Sequence, residues 1–390
     1  MVYNKNMKRV FLVVIDGFGV GEAPDADKYG DKGSNTLLNI QKIRPMNLPN
    51  LTKLGLLSID GINLHGLDGV IGSFGKMEEK SVGKDTTTGH FEMMGIISKY
   101  GMPTYPNGFP KDVVNQLEKA WGVGILGNIP ASGTEIIKVL GEEHLKTKKP
   151  IVYTSADSVL QVATHTDIYP VEKLYEMCIK AREIMHGENA VGRIIARPFY
   201  TENGNFVRLN TGRRDFALPP EKPNTMSKLI EAKKDVIAVG KIEDIFNHES
   251  ITKSYPNHTN KESLEVFKQL TKELFDGLCF VNLVDTDMVY GHRNNVEGYA
   301  KALEEIDMYL GGILPNLHED DYLLITGDHG CDPTTPSSDH SREYTSCLVY
   351  SKSNKKVVNF GTLKGFDNLG KYIEKLFGIS DNSVIYDKLN

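Results

Sequence analysis

Three aspartates in this chain each follow an apolar run, and histidines stand beside or shortly after two of them. Asp16 closes VFLVVID, Asp287 and His292 lie in DTDMVYGH, Asp328 and His329 lie in GDHG, and His340 follows in DHSRE. Carboxylate oxygens mixed with imidazole nitrogens make a donor set that suits Mn²⁺ or Zn²⁺ better than Ca²⁺ or Mg²⁺ alone. Three aspartates and three histidines suffice for two ions, with positions left open for a phosphate. Two ions roughly 3.5–4 Å apart can stabilise both the attacking and the leaving oxygen of an in-line displacement. Any one of these residues alone reads more simply as a turn residue, a helix cap or an ordinary histidine. The repetition of the pattern points to a metal centre.

A second chemistry-bearing stretch is SVGKDTTTGHFEMMG, residues 81–95. Its glycine-lysine-aspartate approach followed by Phe91, Met93 and Met94 predicts a loop leading into a helix. A hydroxyl at such a helix start sits where backbone N–H groups and the dipole favour a phosphate. Threonine becomes a nucleophile only with the help of a metal or a base, and beside a metal centre it could accept a phosphoryl group and pass it on. Spacing does not choose among Thr86, Thr87 and Thr88, any of which could instead cap the helix. Lys84 either balances phosphate charge or is solvated.

A sugar phosphate must also be held by the phosphate that is not reacting, a task for arginine forks. Candidates are Arg193 and Arg197 in GRIIARPF, Arg208 in NGNFVR and Lys241 in VIAVGK, while Asp157 in TSAD could accept a sugar hydroxyl.

The elements that must position these groups are legible as a pattern. Residues 10–16, 278–287 and 321–330 are apolar strands that stop at aspartate, as expected of strands buried on both faces. In an open α/β sheet the ligand site lies beyond the carboxyl ends of the strands, so three such ends converge. Helical patterns such as residues 295–314 alternate with the strands, which predicts an α/β fold with a doubly wound, mostly parallel sheet core. Turn-rich GMPTYPNGFP and RRDFALPPEKP bracket a different middle region. The expected organisation is a core from residues 1–100 and 219–390, with a smaller α/β cap domain inserted at 101–218.

Composition sets the outer bounds. The 390 residues are 40% hydrophobic and 25% charged, ordinary for a globular chain of about two domains. A formal net charge of -6 argues against a general nucleic-acid binder. Cys178, Cys279, Cys331 and Cys347 lack metal-finger spacing and read as reduced thiols of a cytoplasmic enzyme. No stretch approaches the roughly 20 apolar residues of a membrane span. A soluble protein with small-molecule partners, no membrane and no evident obligatory protein partner is expected.

Taken together, Asp16, KDTTTGHFE, DTDMVYGH, GDHG and DHSRE resemble the alkaline-phosphatase superfamily, and most closely its bacterial phosphopentomutase family. The similarity extends through GEAPDA (21–26), PASGTEI (130–136), YTSADSVLQ (153–161) and IARPF (195–199). The resemblance implies an isomerase that interconverts ribose 1-phosphate and ribose 5-phosphate, or their 2-deoxy equivalents. It implies a phosphothreonine enzyme with two Mn²⁺ ions (Zn²⁺ or Mg²⁺ as substitutes), a pentose 1,5-bisphosphate intermediate and a sugar bisphosphate as primer. Thr86 is then the nucleophile. Asp16, Asp328 and His329 would hold the ion next to it, and Asp287, His292 and His340 the other. Asp157, Arg208 and Lys241 become substrate contacts, and a cap over the metals would keep water out. The alternatives are a phosphomonoesterase or phosphodiesterase with the same ligands, which would release free phosphate, and a metal-stabilised binding protein without a phosphoryl-enzyme.

Overall fold

In the computed structural model, which describes residues 7–155 and 158–390, the first apolar run becomes the strand Arg9–Ile15, buried along its whole length. It lies between Gly277–Leu283 and Asp321–Thr326, parallel to both. Residues up to Lys99 together with Pro220–Asn390 form one compact unit, and Tyr100–Pro219 forms a second.

The first unit is built on a nine-stranded sheet. From one edge its order is Lys253–Tyr255, Asp235–Val239, Gly277–Leu283, Arg9–Ile15, Asp321–Thr326, Glu343–Tyr350, Ser73–Glu78 and Asn359–Lys364, with Gly19–Glu22 paired to Glu343–Tyr350. Only Glu343–Tyr350 runs against its neighbours. Alternate residues of the central strand serve two cores. Phe11, Val13 and Ile15 pack with Leu303, Ile306 and Leu310 of the helix Val296–Ile313, which Asn295 caps through its side chain. Val10, Leu12 and Val14 pack on the other face with Phe91, Leu369 and Ile373.

The register puts Ile15 beside Leu283 and Val14 beside Thr326, so the three strands end together. Asp16 follows its strand at once, and Asp328 follows Gly327. The middle run differs from the pattern expected of it. Its strand stops at Leu283, and Asp287 sits in a π-helical turn, Thr286–Tyr290. Thr286 explains the placement: its hydroxyl donates to the carbonyl of Asp16 at 2.6 Å, tying the turn to the end of the first strand.

The second unit has its own mixed sheet, in the order Leu126–Pro130, Ile151–Thr154, Val159–His165, Arg193–Glu202 and Asn205–Arg208, with Arg214–Ala217 paired to Arg193–Glu202. Val113, Leu117, Leu174 and Cys178, from the helices Lys111–Trp121 and Val171–Ile184, fill one of its cores. Ile136 and Ile137 of the helix Gly133–Thr147 fill the other, with Tyr153 and Phe199. Among the described residues no helix is long and apolar enough to cross a membrane.

Candidate two-metal centre and nucleophile

The threonine stretch forms the helix Thr86–Met93, and its N-cap is Asp85, whose carboxylate accepts from the Thr88 amide at 3.1 Å and the Thr88 hydroxyl at 2.6 Å. No threonine is spent as the cap, and Thr86 is left facing the strand ends. Its Oγ1 lies 3.5 Å from Asp16 Oδ1 and 3.2 Å from His329 Nε2. The helix can come this close because residue 89 is glycine: a Cβ there would stand 2.2 Å from the carbonyl oxygen of Asp328.

Asp16, Asp328 and His329 converge at this point, with one donor atom from each within 4.8 Å of the others. Asp328 is fixed by the amides of Gly17 at 3.0 Å and His329 at 3.1 Å. Gly17 reaches it from a left-handed backbone, φ +74°, which suits glycine. A second group forms alongside, where Asp287, His329 and His340 also meet within 4.8 Å. His292 Nε2 and His340 Nε2 lie 3.3 and 3.4 Å from the two oxygens of Asp287 and 3.1 Å from each other. The His340 and His329 rings stack at 3.8 Å and link the two groups. His292 is aimed by its other nitrogen, which donates to the Ser338 carbonyl at 2.7 Å.

Three buried carboxylates this close repel one another unless cations intervene. Burial and Asp328 together push Asp16 upward. Burial also opposes ionisation of Asp287 and Asp328, yet His292 and His340 hold the first well below the usual range, and His329 and His90 do so for the second. The imidazoles respond in kind: Asp287 raises His292 to about 9, and Asp328 with Asp16 holds His329 well above its ordinary value against its burial. The carboxylates thus call for positive charge at this place, which divalent cations would supply. The donors also fit metal ions. Asp287 Oδ1 and Asp328 Oδ2 are buried and make no hydrogen bond, with only histidine ring nitrogens standing off at 3.2–3.4 Å, which leaves both oxygens free to ligate an ion.

Residues outside the sequence reading complete the support. His90 and Asn282 are fully buried between the helix and the strand ends. Asn282 Nδ2 donates to Asp16 Oδ2 at 2.9 Å and lies 3.0 Å from His90 Nε2. The signal for His90 was its place four residues after Thr86, on the same helix face, whereas Asn282 gave none. Lys84 is partly exposed and held in ion pairs. Its ammonium meets Asp31 at 3.1 Å, Asp339 at 3.5 Å and the His340 carbonyl at 2.6 Å, bracing the loop that carries His340. Arg342 ties that loop to the approach to Thr86, donating to the carbonyls of Ser81 at 3.0 Å and Gly83 at 2.6 Å.

The proposed substrate residues are dispersed. Lys241 is exposed in the first unit, just before the turn Ile242–Ile245. In the second unit Arg193 pairs with Asp215 at 3.3 Å, and Arg197 donates to Gln161 at 3.0 Å. Asp157 lies outside the described residues. The charges of Arg197, Arg208 and Arg213 act on Tyr153, which the sequence reading left without a role. Burial pushes its phenol up and the three guanidiniums oppose that shift. Its hydroxyl is buried without a partner at the start of the helix Gly133–Thr147, 2.5 Å from where a Cβ on Gly133 would stand.

Residues 8–381 match the family model described as the Metalloenzyme superfamily. The chain is 53% identical over 378 residues to the phosphopentomutase of Acetivibrio thermocellus, covering 96% of this chain and 97% of that relative. It is 52% identical over 375 residues to the phosphopentomutase of Carboxydothermus hydrogenoformans, covering 96% of each. Divalent metal use follows from the family together with the ligand clusters. With matches of this length and closeness, the chain belongs to the phosphopentomutase family of the metalloenzyme superfamily.

Proposed function

We propose that the chain interconverts ribose 1-phosphate and ribose 5-phosphate, and the 2-deoxyribose pair, through a phosphorylated Thr86 and a pentose 1,5-bisphosphate. Family membership makes it an isomerase, an intramolecular phosphotransferase acting on small-molecule sugar phosphates. The observation that carries the mechanism is the position of the Thr86 hydroxyl, within 3.5 Å of both Asp16 and His329 at the start of a helix.

Asp16, Asp328 and His329 would hold one Mn²⁺ beside Thr86, and Asp287, His292 and His340 the second. Bound there, the ions would supply charge neutralisation for the phosphoryl group in transfer. Thr86, at the helix N-terminus, presents its phosphoryl group where backbone N–H groups point outward. Lys84 adds positive charge two residues away. We assign Arg208, Lys241, Arg193 and Arg197 to the non-reacting phosphate, which for Arg193 and Arg197 means exchanging Asp215 and Gln161 for it, and Asp157 to a sugar hydroxyl. Exclusion of water from the phosphoryl group is what would separate mutase from phosphatase. In the cycle, phosphorylated Thr86 gives its phosphoryl group to the free hydroxyl of the bound pentose phosphate. The resulting bisphosphate then returns its other phosphoryl group to Thr86. A sugar bisphosphate phosphorylates any enzyme that has lost its group.

Intact and tandem mass spectrometry after exposure to a sugar bisphosphate tests this directly. One added phosphoryl group mapped to Thr86 is expected; a group on Thr87 or Thr88, or none, would remove the proposed nucleophile.

A further inference from the structure

Cys331 stands two residues after His329, and the mechanism above makes no use of it. It is 1% exposed and its sulfur faces the second ligand group. One oxygen of Asp287, one ring nitrogen of His292 and Cys331 Sγ form a set whose atoms all lie within 4.8 Å of one another. Gly291 leaves the room for this, since a Cβ there would stand 2.5 Å from the sulfur. A separate observation marks the same place as one that seeks a ligand: Asp287, only 7% exposed, makes no hydrogen bond through Oδ1, and His340 Nε2 stands off from it at 3.4 Å. The other thiols are different. Cys178, Cys279 and Cys347 are packed into apolar cores.

We propose that Asp287, His292 and Cys331 form a site selective for thiophilic divalent ions such as Zn²⁺ and Cd²⁺. The proposal rests on the reading of Asp287 and His292 as ligands of the second ion, and it adds an alternative arrangement in which sulfur replaces His340. A thiol binds such an ion by giving its proton to solvent as the sulfur–metal bond forms, with no change of oxidation state. Softness then divides the ions. Mn²⁺ prefers carboxylate and imidazole and stays with His340, whereas Zn²⁺ and Cd²⁺ gain from the thiolate. An ion drawn toward Cys331 takes Asp287 and His292 with it, so the thiophilic ions bind tightly in a form that does not serve the proposed transfer. Metal choice is thereby set by one sulfur in the ligand shell.

The test is titration of the metal-free, full-length chain with Cd²⁺, followed through the ultraviolet charge-transfer absorption of a cadmium–thiolate bond, in the wild type and in Cys331→Ser. The band is expected in the wild type and absent from the variant, with the preference for Cd²⁺ over Mn²⁺ falling by about tenfold or more. A band that survives in Cys331→Ser overturns the proposal. So does a wild-type protein without a band, whether or not the variant folds. Mn²⁺ binding by Asp287→Asn separates the two readings. Undiminished Mn²⁺ affinity there, beside a wild-type cadmium band that Cys331→Ser abolishes, removes the second-ion assignment and leaves the thiol site standing.

Discussion

His90 donates its Nδ1 hydrogen to the main-chain carbonyl of Thr86 across 2.8 Å, from one helical turn further on. A carbonyl can only accept, so this bond fixes the hydrogen on Nδ1. Nε2 is then left to accept from Asn282, whose amide also donates to Asp16. The backbone of the proposed nucleophile and a metal-ligand candidate are thus joined through two fully buried side chains.

This link predicts that Asn282→Ala weakens Mn²⁺ binding at the Asp16 group. Groups that orient metal ligands typically contribute about 10–100-fold in affinity, and a loss in that range is expected by competition against a metal-sensitive dye. Equal affinities in wild type and variant would show that Asp16 needs no orienting partner.

A stability prediction concerns the opposite end of the same strand. Arg9 donates to Asp321 at 2.8 Å and to the Thr271 carbonyl at 3.0 Å, with both side chains almost wholly buried. Arg9→Met leaves Asp321 buried without its counter-charge, which costs on the order of 3–5 kcal/mol. Urea denaturation should register a loss of that size. A loss under about 1 kcal/mol would mean that water or a neighbour takes over the carboxylate.

The second unit should weaken in mild acid because of His144. Its Nδ1 donates to the Lys149 carbonyl at 2.7 Å, and its Nε2 accepts from the His165 amide at 2.9 Å. Burial lowers its pKa, and a proton on Nε2 would oppose the His165 N–H. A base with a depressed folded pKa contributes stability above its unfolded value, about 6.5, and loses it progressively as pH falls below that. Thermal melts across this window should show a decline that His144→Gln reduces. An equal decline in the variant would place the sensitive group elsewhere.

Tyr153→Phe separates a structural from a binding role for the phenol. Removing a buried hydroxyl without a partner is expected to leave stability unchanged or slightly raised. If the hydroxyl donates to the substrate phosphate, KM should rise by about tenfold or more, as for a hydrogen bond to a charged group. An unchanged KM would make Tyr153 a packing residue alone.

What the sequence disclosed and what it withheld follow from the range of the interactions. Residues 10–15 and 323–325 are continuous apolar runs because both sheet faces are covered, so strands and the aspartates after them could be read locally. Asp287 was legible as a candidate, but its π-helical turn was not. That turn depends on Thr286 reaching the carbonyl of a residue 270 positions away. Capping by Asp85 follows a local rule, and it withdraws the threonines from the role sequence reading left open for them. Asn282 was hidden inside an apolar strand, where a polar residue usually signals only an imperfect core. Arg342 acts through partners from distant segments, and Tyr153 is set among residues far from it in sequence, so no local spacing marks either.

The most direct measurement is phosphorus NMR of ribose 1-phosphate incubated with the enzyme, Mn²⁺ and a trace of sugar bisphosphate. The account predicts conversion to ribose 5-phosphate with little inorganic phosphate, and loss of the conversion in Thr86→Ala. Accumulation of inorganic phosphate in place of ribose 5-phosphate would contradict it, leaving a two-metal phosphatase.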